Sequence, residues 1–137
     1  MTKSSILVID DSSEMLFLQR SVLESAGYDV FTAESGAEAL EILSKIDDPG
    51  LIILDLQMED MDGVEFLKIL EENKPEIIET VPVIFLSGKE APPPSKAVGF
   101  IKKFPDIDDF LATVNHFIKV GMERPDPFVD GVVPYRS

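Results

Sequence analysis

LIILD, residues 51–55, is the most apolar strand-like run of the chain, and it ends in an acidic residue. Four consecutive apolar residues without alternation indicate a strand that is covered on both faces, as in the centre of a parallel sheet. Parallel strands have to be joined by crossover connections, which are usually α-helices. We therefore expect the flanking sequence to alternate between strands and helices.

The flanking sequence shows this alternation. Four further runs are predicted to be strands: ILVID (6–10), YDVFTA (28–33), PVIFLS (82–87) and GFIKKF (99–104). Apolar residues at helical spacing predict helices between them, which begin at Ser12 or Ser13, Ser35, Asp62 and Asp106 and end at Gly27, residues 47–50, Pro75 and Gly121. The predicted fold is α/β, with a doubly wound, five-stranded parallel sheet in the flavodoxin-like order 2-1-3-4-5.

The crossover between the fourth and fifth strands departs from this pattern. KEAPPPSK, residues 89–96, contains three consecutive prolines, each of which removes a backbone donor and disrupts a helix interior. The connection 88–98 could span about 36–40 Å when extended, whereas the return along a five-residue strand needs only about 17 Å. We therefore expect the fourth crossover helix to be shortened or missing.

A missing helix would leave one face of the sheet uncovered. The domain is predicted to occupy residues 1–121, and the remaining segment, 122–137, is predicted to pack on it or to act as a linker. Apolar residues available for packing in this segment are Phe128, Val129, Val132, Val133 and Tyr135. We expect either this tail or a second protomer, in a homodimer formed through the altered fourth-helix face, to cover the sheet.

Composition narrows the functional classes. The net charge is −14, from 26 acidic against 12 basic residues, which disfavours direct binding of nucleic acid. The chain has no cysteine, so disulfides and thiolate zinc sites are excluded. No apolar run approaches the roughly 18 residues of a membrane span, and the N-terminal sequence does not resemble a signal peptide. We expect a cytoplasmic domain that binds neither nucleic acid nor membrane.

Polar residues stand at the carboxyl ends of four predicted strands. Asp10 and Asp11 end the first strand, Asp55 the third, Ser87 the fourth and Lys103 the fifth. Ligands of open α/β sheets bind at these ends, and the four strands are neighbours in the predicted order. An acid after one strand is usually only a cap of the following loop, but the combination predicts a single polar pocket.

The residue types in this pocket indicate its chemistry. Three carboxylates repel one another and require a cation, and hard oxygen ligands without histidine or cysteine favour Mg²⁺. A lysine and a hydroxyl facing the metal are suited to a phosphoryl group, whose oxygens they neutralise or hydrogen-bond. Asp55 is placed to act as the nucleophile, which would give an aspartyl phosphate.

These segments together resemble the receiver domain of bacterial two-component response regulators, over about residues 4–120. The matching motifs are ILVIDD, SGAEAL, LIILDLQMEDMDG, VIFLS and GFIKKFPDIDDFL. The resemblance implies that Asp55 is the phosphoacceptor and that Asp11 binds the metal directly. It also implies that Asp10 acts largely through water and that Gln57 lends its backbone carbonyl to the metal.

The same resemblance implies roles for three further residues. Ser87 would be the hydroxyl that moves toward the phosphoryl group, Lys103 the lysine that pairs with it, and Phe100 the aromatic switch residue. The implied donor is a phosphohistidine on a histidine kinase or phosphotransfer protein, and the signal would pass to a downstream protein target. The chain would not be an enzyme beyond Mg²⁺-dependent self-phosphorylation and self-dephosphorylation.

Two further positions depart from the family pattern. Glu59 stands where receivers usually have proline, which is expected to loosen the loop without touching a ligand. Lys103 is followed by Phe104 rather than proline, and because a non-proline cis bond costs about 2.5–4 kcal/mol, we expect a trans bond there.

Two other functions compete with a phosphoaccepting receiver. A pseudo-receiver would keep the fold as a protein-interaction module without switching by phosphorylation, and the altered crossover and Lys-Phe pair favour it. A Mg²⁺-dependent phosphohydrolase would need a second acid two residues after the nucleophile, where this chain has Gln57. The retained acids, hydroxyl and lysine favour the phosphoaccepting receiver.

Overall fold

The computed structural model of the protein describes residues 5–87, 99–102, 107–120 and 133–134. Its strands are β1 (Ser5–Ile9), β2 (Asp29–Ala33), β3 (Leu51–Asp55), β4 (Val83–Ser87), β5 (Gly99–Lys102) and β6 (Val133–Pro134). Its helices are α1 (Ser13–Ser25), α2 (Gly36–Leu43), α3 (Gly63–Asn73), α4 (Pro75–Thr80) and α5 (Ile107–Val120). The α/β class expected from the sequence is confirmed.

The strands form one sheet in the order β2-β1-β3-β4-β5-β6. Neighbouring strands from β2 to β5 are parallel, and β6 pairs antiparallel with β5. β3 is flanked by β1 and β4, and all five of its residues are buried. The continuous apolar run at 51–54 therefore reflects a strand covered on both faces, as predicted.

Two apolar cores lie on opposite faces of the sheet. Side chains of a strand alternate between faces, so Ile52 and Leu54 contribute to one core and Leu51 and Ile53 to the other. The first core contains residues of α2, α3 and α4. The second contains residues of α1 and α5, including the fully buried Phe117. Helices therefore cover both faces, which leaves the strand ends available for a site.

Polar caps begin α1, α2 and α3 at the predicted residues. The Ser12 hydroxyl accepts a hydrogen bond from the Met15 N–H at 3.3 Å, and the Ser35 hydroxyl accepts one from the Glu38 N–H at 3.1 Å. The Asp62 carboxylate accepts from the Glu65 N–H at 2.8 Å. Each cap satisfies a backbone donor that has no partner within the helix, so these starts are local properties of the sequence.

One helix was not predicted. Pro75 was expected to end the third helix, and α3 does end at Asn73, but Pro75 also begins the short helix α4. Proline suits the first position of a helix because its fixed φ is helical and its missing N–H would be unsatisfied there anyway. The buried side chains of Ile77 and Ile78 attach α4 to the core.

Several predictions fall outside the described residues. They concern the fourth crossover (88–98), Lys103, the cap at Asp106, and the tail apart from 133–134. The two described tail residues lie at the edge of the sheet, with Val133 opposite Phe100 and Pro134 opposite Gly99. The boundary between domain and tail therefore stays a prediction.

Within the described parts of the chain, no helix has the length and apolar character needed to cross a membrane.

Candidate functional site

The sheet register brings two of the predicted acids to one edge. Ile9 of β1 lies opposite Leu54 of β3, and the next residues are Asp10 and Asp55. Because the two strands are parallel neighbours, their carboxyl ends open at the same side of the sheet. The register between β1 and β3 therefore brings the two carboxylates close together.

Asp10 is held by the turn that leaves β1. Its backbone N–H donates to the carbonyl oxygen of Ala33 at 3.1 Å, and its Oδ1 accepts a hydrogen bond from the Ser12 N–H at 2.9 Å. The residue is only 1% exposed. This bond across two residues is the local turn that aspartate favours after a strand, and it fixes the direction of the side chain.

Asp55 is equally buried, at 2% exposure, and its Oδ1 accepts from the Gln57 N–H at 3.3 Å. Gly63 closes the loop after it, because the Gly63 N–H donates to the Leu56 carbonyl at 2.8 Å. A β-carbon at Gly63 would lie 2.7 Å from Phe85 Cε1 and 2.9 Å from the Asp55 carbonyl oxygen. Only glycine allows this close approach of α3 to the end of β3.

Asp11 differs from the other two acids because its side chain is exposed. Its Oδ2 accepts a hydrogen bond from the backbone N–H of Glu59 at 3.1 Å. The expectation that the change from proline to Glu59 touches no ligand is therefore wrong. Proline has no N–H, so this bond to a predicted metal ligand exists only because residue 59 is not proline.

The three carboxylates converge. One oxygen from each of Asp10, Asp11 and Asp55 can be chosen so that all three atoms lie within 4.8 Å of one another. Like charges at this spacing, two of them on buried side chains, repel one another, and a bound cation would compensate this repulsion. An all-oxygen set suits a hard cation that keeps part of its water shell, as Mg²⁺ does. The residues present therefore fit the predicted magnesium ion.

The backbone places one other predicted site residue, Ser87, near this edge. Asp55 lies opposite Leu86, and Ser87 is the next residue, paired with Lys102 on β5. Phe100 lies opposite Phe85, further inside the sheet. Gln57 is exposed in the loop after β3, and the role of its carbonyl stays a prediction. Lys103 lies outside the described residues.

Sequence reasoning missed the attachment of the β3–α3 loop, residues 56–62. The Asp60 Oδ2 accepts a hydrogen bond from the Gly36 N–H at 3.1 Å. A β-carbon at Gly36 would lie 2.6 Å from the Met61 sulfur, so this methionine packs directly over the start of α2. The motif SGAEAL marked the start of the helix but gave no sign of what it contacts.

Comparisons with known proteins agree with this geometry. The sequence profile of the response regulator receiver domain matches residues 6–115. The chain is 32% identical to sporulation initiation phosphotransferase F of Bacillus subtilis over 121 residues, which cover 86% of this chain and 96% of that protein. It is 38% identical over 85 residues to the Bacillus subtilis regulator PhoP of alkaline phosphatase synthesis, and this match spans 62% of the chain but only 33% of that regulator.

Solved structures support the same assignment. The fold resembles that of the chemotaxis protein CheY4 of Vibrio cholerae with a TM-score of 0.75 at 27% sequence identity. The similarity covers 84% of this chain and 98% of CheY4. Since the family profile spans most of the chain and the acids of its predicted pocket converge, the protein belongs to the response regulator receiver domain family.

Proposed function

We propose that the chain is a phosphoaccepting receiver that takes a phosphoryl group from a histidine kinase or phosphotransfer protein onto Asp55. The single observation that carries this proposal is the convergence of Asp10, Asp11 and Asp55 within 4.8 Å at the ends of two neighbouring strands. Two buried carboxylates are a costly feature for a domain that serves only as a scaffold. Their retention supports a role in chemistry.

Each acid has a distinct part in the proposed site. Asp11 would bind the cation directly, Asp10 would act largely through its water, and the carbonyl of Gln57 would supply another ligand. Magnesium bound there would neutralise charge on the phosphoryl oxygens. The hydrogen bond from the Gln57 N–H to the Asp55 Oδ1 would help to orient the nucleophilic carboxylate.

The transfer step is a displacement at phosphorus. A carboxylate oxygen of Asp55 forms a bond to the phosphorus atom while the bond from phosphorus to the imidazole nitrogen breaks. The imidazole keeps the electron pair of that bond and returns to histidine, and Asp55 becomes an aspartyl phosphate. Little covalent chemistry is required of the protein beyond position and charge compensation.

Three residues would complete the response. Lys103 would pair with a phosphoryl oxygen, the Ser87 hydroxyl would donate a hydrogen bond to another, and Phe100 would change position with Ser87. The position of Ser87 at the carboxyl end of β4, one residue beyond the partner of Asp55, supports this assignment. The proposed frame is the receiver order 2-1-3-4-5 with the fourth crossover helix shortened or missing.

The names of the relatives are consistent with this role. One is a phosphotransferase of sporulation initiation, and another is the polar-differentiation response regulator DivK of Brucella ovis, 33% identical over 88 residues. We propose that the chain acts in the cytoplasm and signals through a downstream protein. Its own catalysis would be limited to self-phosphorylation and self-dephosphorylation.

Incubation with acetyl phosphate and Mg²⁺, followed by intact-mass measurement, tests the proposal. The wild type should gain one phosphoryl group, and Asp55→Asn should gain none. Asp48→Asn, a change at an exposed residue outside the site, should behave as the wild type. If the wild type gains no mass under conditions that phosphorylate an ordinary receiver, the chain is instead a pseudo-receiver that acts through protein contacts alone.

A further inference from the structure

The β3–α3 loop connects the acidic pocket to helix α2 through two consecutive residues. The backbone N–H of Glu59 donates to the Asp11 carboxylate at 3.1 Å. The carboxylate of Asp60 accepts from the Gly36 N–H, also at 3.1 Å. The loop therefore contacts the candidate metal site at one residue and the first turn of α2 at the next.

Asp11 needs an external group to set its direction. Asp10 and Asp55 are buried at the strand ends, where packing restricts their side chains, whereas Asp11 is exposed. Among the described residues, the hydrogen bond from Glu59 is the one that the Asp11 carboxylate accepts. Without it, the side chain would exchange among staggered rotamers, and only some of these direct an oxygen toward the other two acids.

We propose that the backbone N–H of Glu59 is a positioning group that holds Asp11 ready to bind the divalent cation. The inference rests on the proposed function, because the cation belongs to the same site. A carboxylate has two oxygens with about four acceptor positions in total, so the bond to Glu59 leaves capacity for a metal. Proline at residue 59 could not supply this donor.

The donor is itself held in place. Asp60 fixes the loop to the start of α2, and Met61 packs over Gly36 so closely that a β-carbon there would lie 2.6 Å from its sulfur. On the other side, the Gly63 N–H donates to the Leu56 carbonyl at 2.8 Å. The Glu59 N–H therefore lies between two anchored points, so its direction does not depend on the exposed Glu59 side chain.

The test compares two substitutions at residue 59 in the full chain. Glu59→Pro removes the backbone donor and the side-chain charge, whereas Glu59→Ala removes only the charge. The dissociation constant for Mg²⁺ is measured for both by following amide NMR shifts during titration with MgCl₂. An effect the size of one typical net hydrogen bond should weaken Mg²⁺ binding by about three- to tenfold in Glu59→Pro relative to Glu59→Ala.

A merely structural role for the bond would give a different pattern. In that case Glu59→Pro would unfold at a lower temperature without Mg²⁺, but its affinity for Mg²⁺ would equal that of Glu59→Ala. Equal affinities, or tighter binding by Glu59→Pro, would overturn the inference while leaving the metal site intact. If the wild type binds no Mg²⁺ at all, the metal role in the proposed function fails, and the inference fails with it.

A second measurement covers the case in which Glu59→Pro does not fold. Hydrogen exchange of the Glu59 amide is compared, without metal, between the wild type and Asp11→Ala. Loss of the acceptor should accelerate exchange at this amide by several-fold, whereas the Gly36 amide, which donates to Asp60, should exchange at an unchanged rate. Unchanged exchange at Glu59 would show that Asp11 does not engage this donor and would refute the proposal.

Discussion

Carboxylate oxygens of Asp10 and Asp55 lie within 4.8 Å of each other, at the ends of two neighbouring parallel strands. Both side chains are almost completely buried, so water screens their repulsion poorly. The apolar pairs that form the sheet hold the two acids together at this distance. Their mutual repulsion therefore opposes folding, and a bound cation would reduce it.

Neutralising one of these acids should stabilise the protein when no metal is present. Asp10→Asn keeps an oxygen that can accept from the Ser12 N–H but removes one negative charge from the cluster. We expect its unfolding temperature in EDTA to exceed that of the wild type by a few degrees, which corresponds to about 1 kcal/mol. Differential scanning calorimetry checks this, with Asp48→Asn as the control for net charge. A lower unfolding temperature would show that repulsion in the cluster is already compensated.

Magnesium should stabilise the wild type much more than the charge-neutralised variant Asp10→Asn. A ligand that binds only the folded state contributes RT ln(1 + [L]/Kd), about 2.7 kcal/mol at a concentration of 100 times Kd. The unfolding temperature should therefore rise with MgCl₂ and return to its original value with EDTA. Asp10→Asn should show a much smaller rise, and an equal rise in both proteins would place the binding outside this cluster.

Gln19 offers a test away from the site. Its side chain is only 5% exposed, and among the residues that the structure describes neither of its amide atoms has a hydrogen-bond partner. It lines a cavity with apolar residues of α1, β4 and α5, among them Val22, Leu86 and Phe110. A buried amide without a partner costs about 1–3 kcal/mol, so an apolar side chain should fit better.

We expect Gln19→Leu to raise the free energy of unfolding by about 1–2 kcal/mol, as measured by urea denaturation. Arg20→Leu is the matched control, because Arg20 lies on the same helix, its side chain is 51% exposed, and its helix propensity is similar to that of leucine. The control should change stability by less than about 0.5 kcal/mol. If Gln19→Leu destabilises the protein, the amide has a partner, such as a buried water, that compensates its burial.

Two glycines at the first positions of helices should respond differently to alanine. Alanine is intrinsically favoured over glycine in a helix by about 1 kcal/mol, but a β-carbon at Gly63 would meet the backbone of Asp55 and Leu56 as well as Phe85. At Gly36 it would meet only the side chain of Met61, which can rotate. We expect Gly63→Ala to cost about 2–4 kcal/mol and Gly36→Ala less than about 1 kcal/mol in urea denaturation. Equal losses of stability in the two variants would show that a clash with the backbone costs no more than a clash with a side chain.

Whether a feature of this fold or site could be predicted depends on whether it arises from a local sequence signal, from the order of the strands or from the path of a loop. The strand at 51–55 and the helix caps at Ser35 and Asp62 are local signals, and the structure confirms them. The meeting of Asp10 with Asp55 could also be predicted, because parallel neighbouring strands share an edge.

The loop contacts could not be predicted in the same way. The bond from Glu59 to Asp11 joins residues 48 positions apart through a backbone donor, and every residue except proline carries one. The bond forms only because of the path that the loop takes, and no hydrophobic period or motif spacing in the sequence indicates that path. The helix that begins at Pro75 was missed for a different reason, because proline both ends one helix and suits the start of another.

The edge pairing of β6 can be tested with introduced cysteines, because the chain has none of its own. Phe100 and Val133 lie opposite each other in antiparallel strands, where Cα atoms are about 4.5–5.5 Å apart, within the range that a disulfide can bridge. We expect Phe100→Cys combined with Val133→Cys to form an intramolecular disulfide on mild oxidation, giving a faster-migrating monomer on non-reducing gels.

Two controls distinguish this pairing from its alternatives. Phe100→Cys alone should give no such monomer, and Phe100→Cys combined with Pro134→Cys, which is one residue out of register, should cross-link much more slowly. If the paired variant instead yields mainly disulfide-linked dimers at low protein concentration, the strand at 133–134 pairs with β5 of a second copy. Because an unpaired edge strand is a template for strand addition, that outcome would make the same segment the basis of a homodimer.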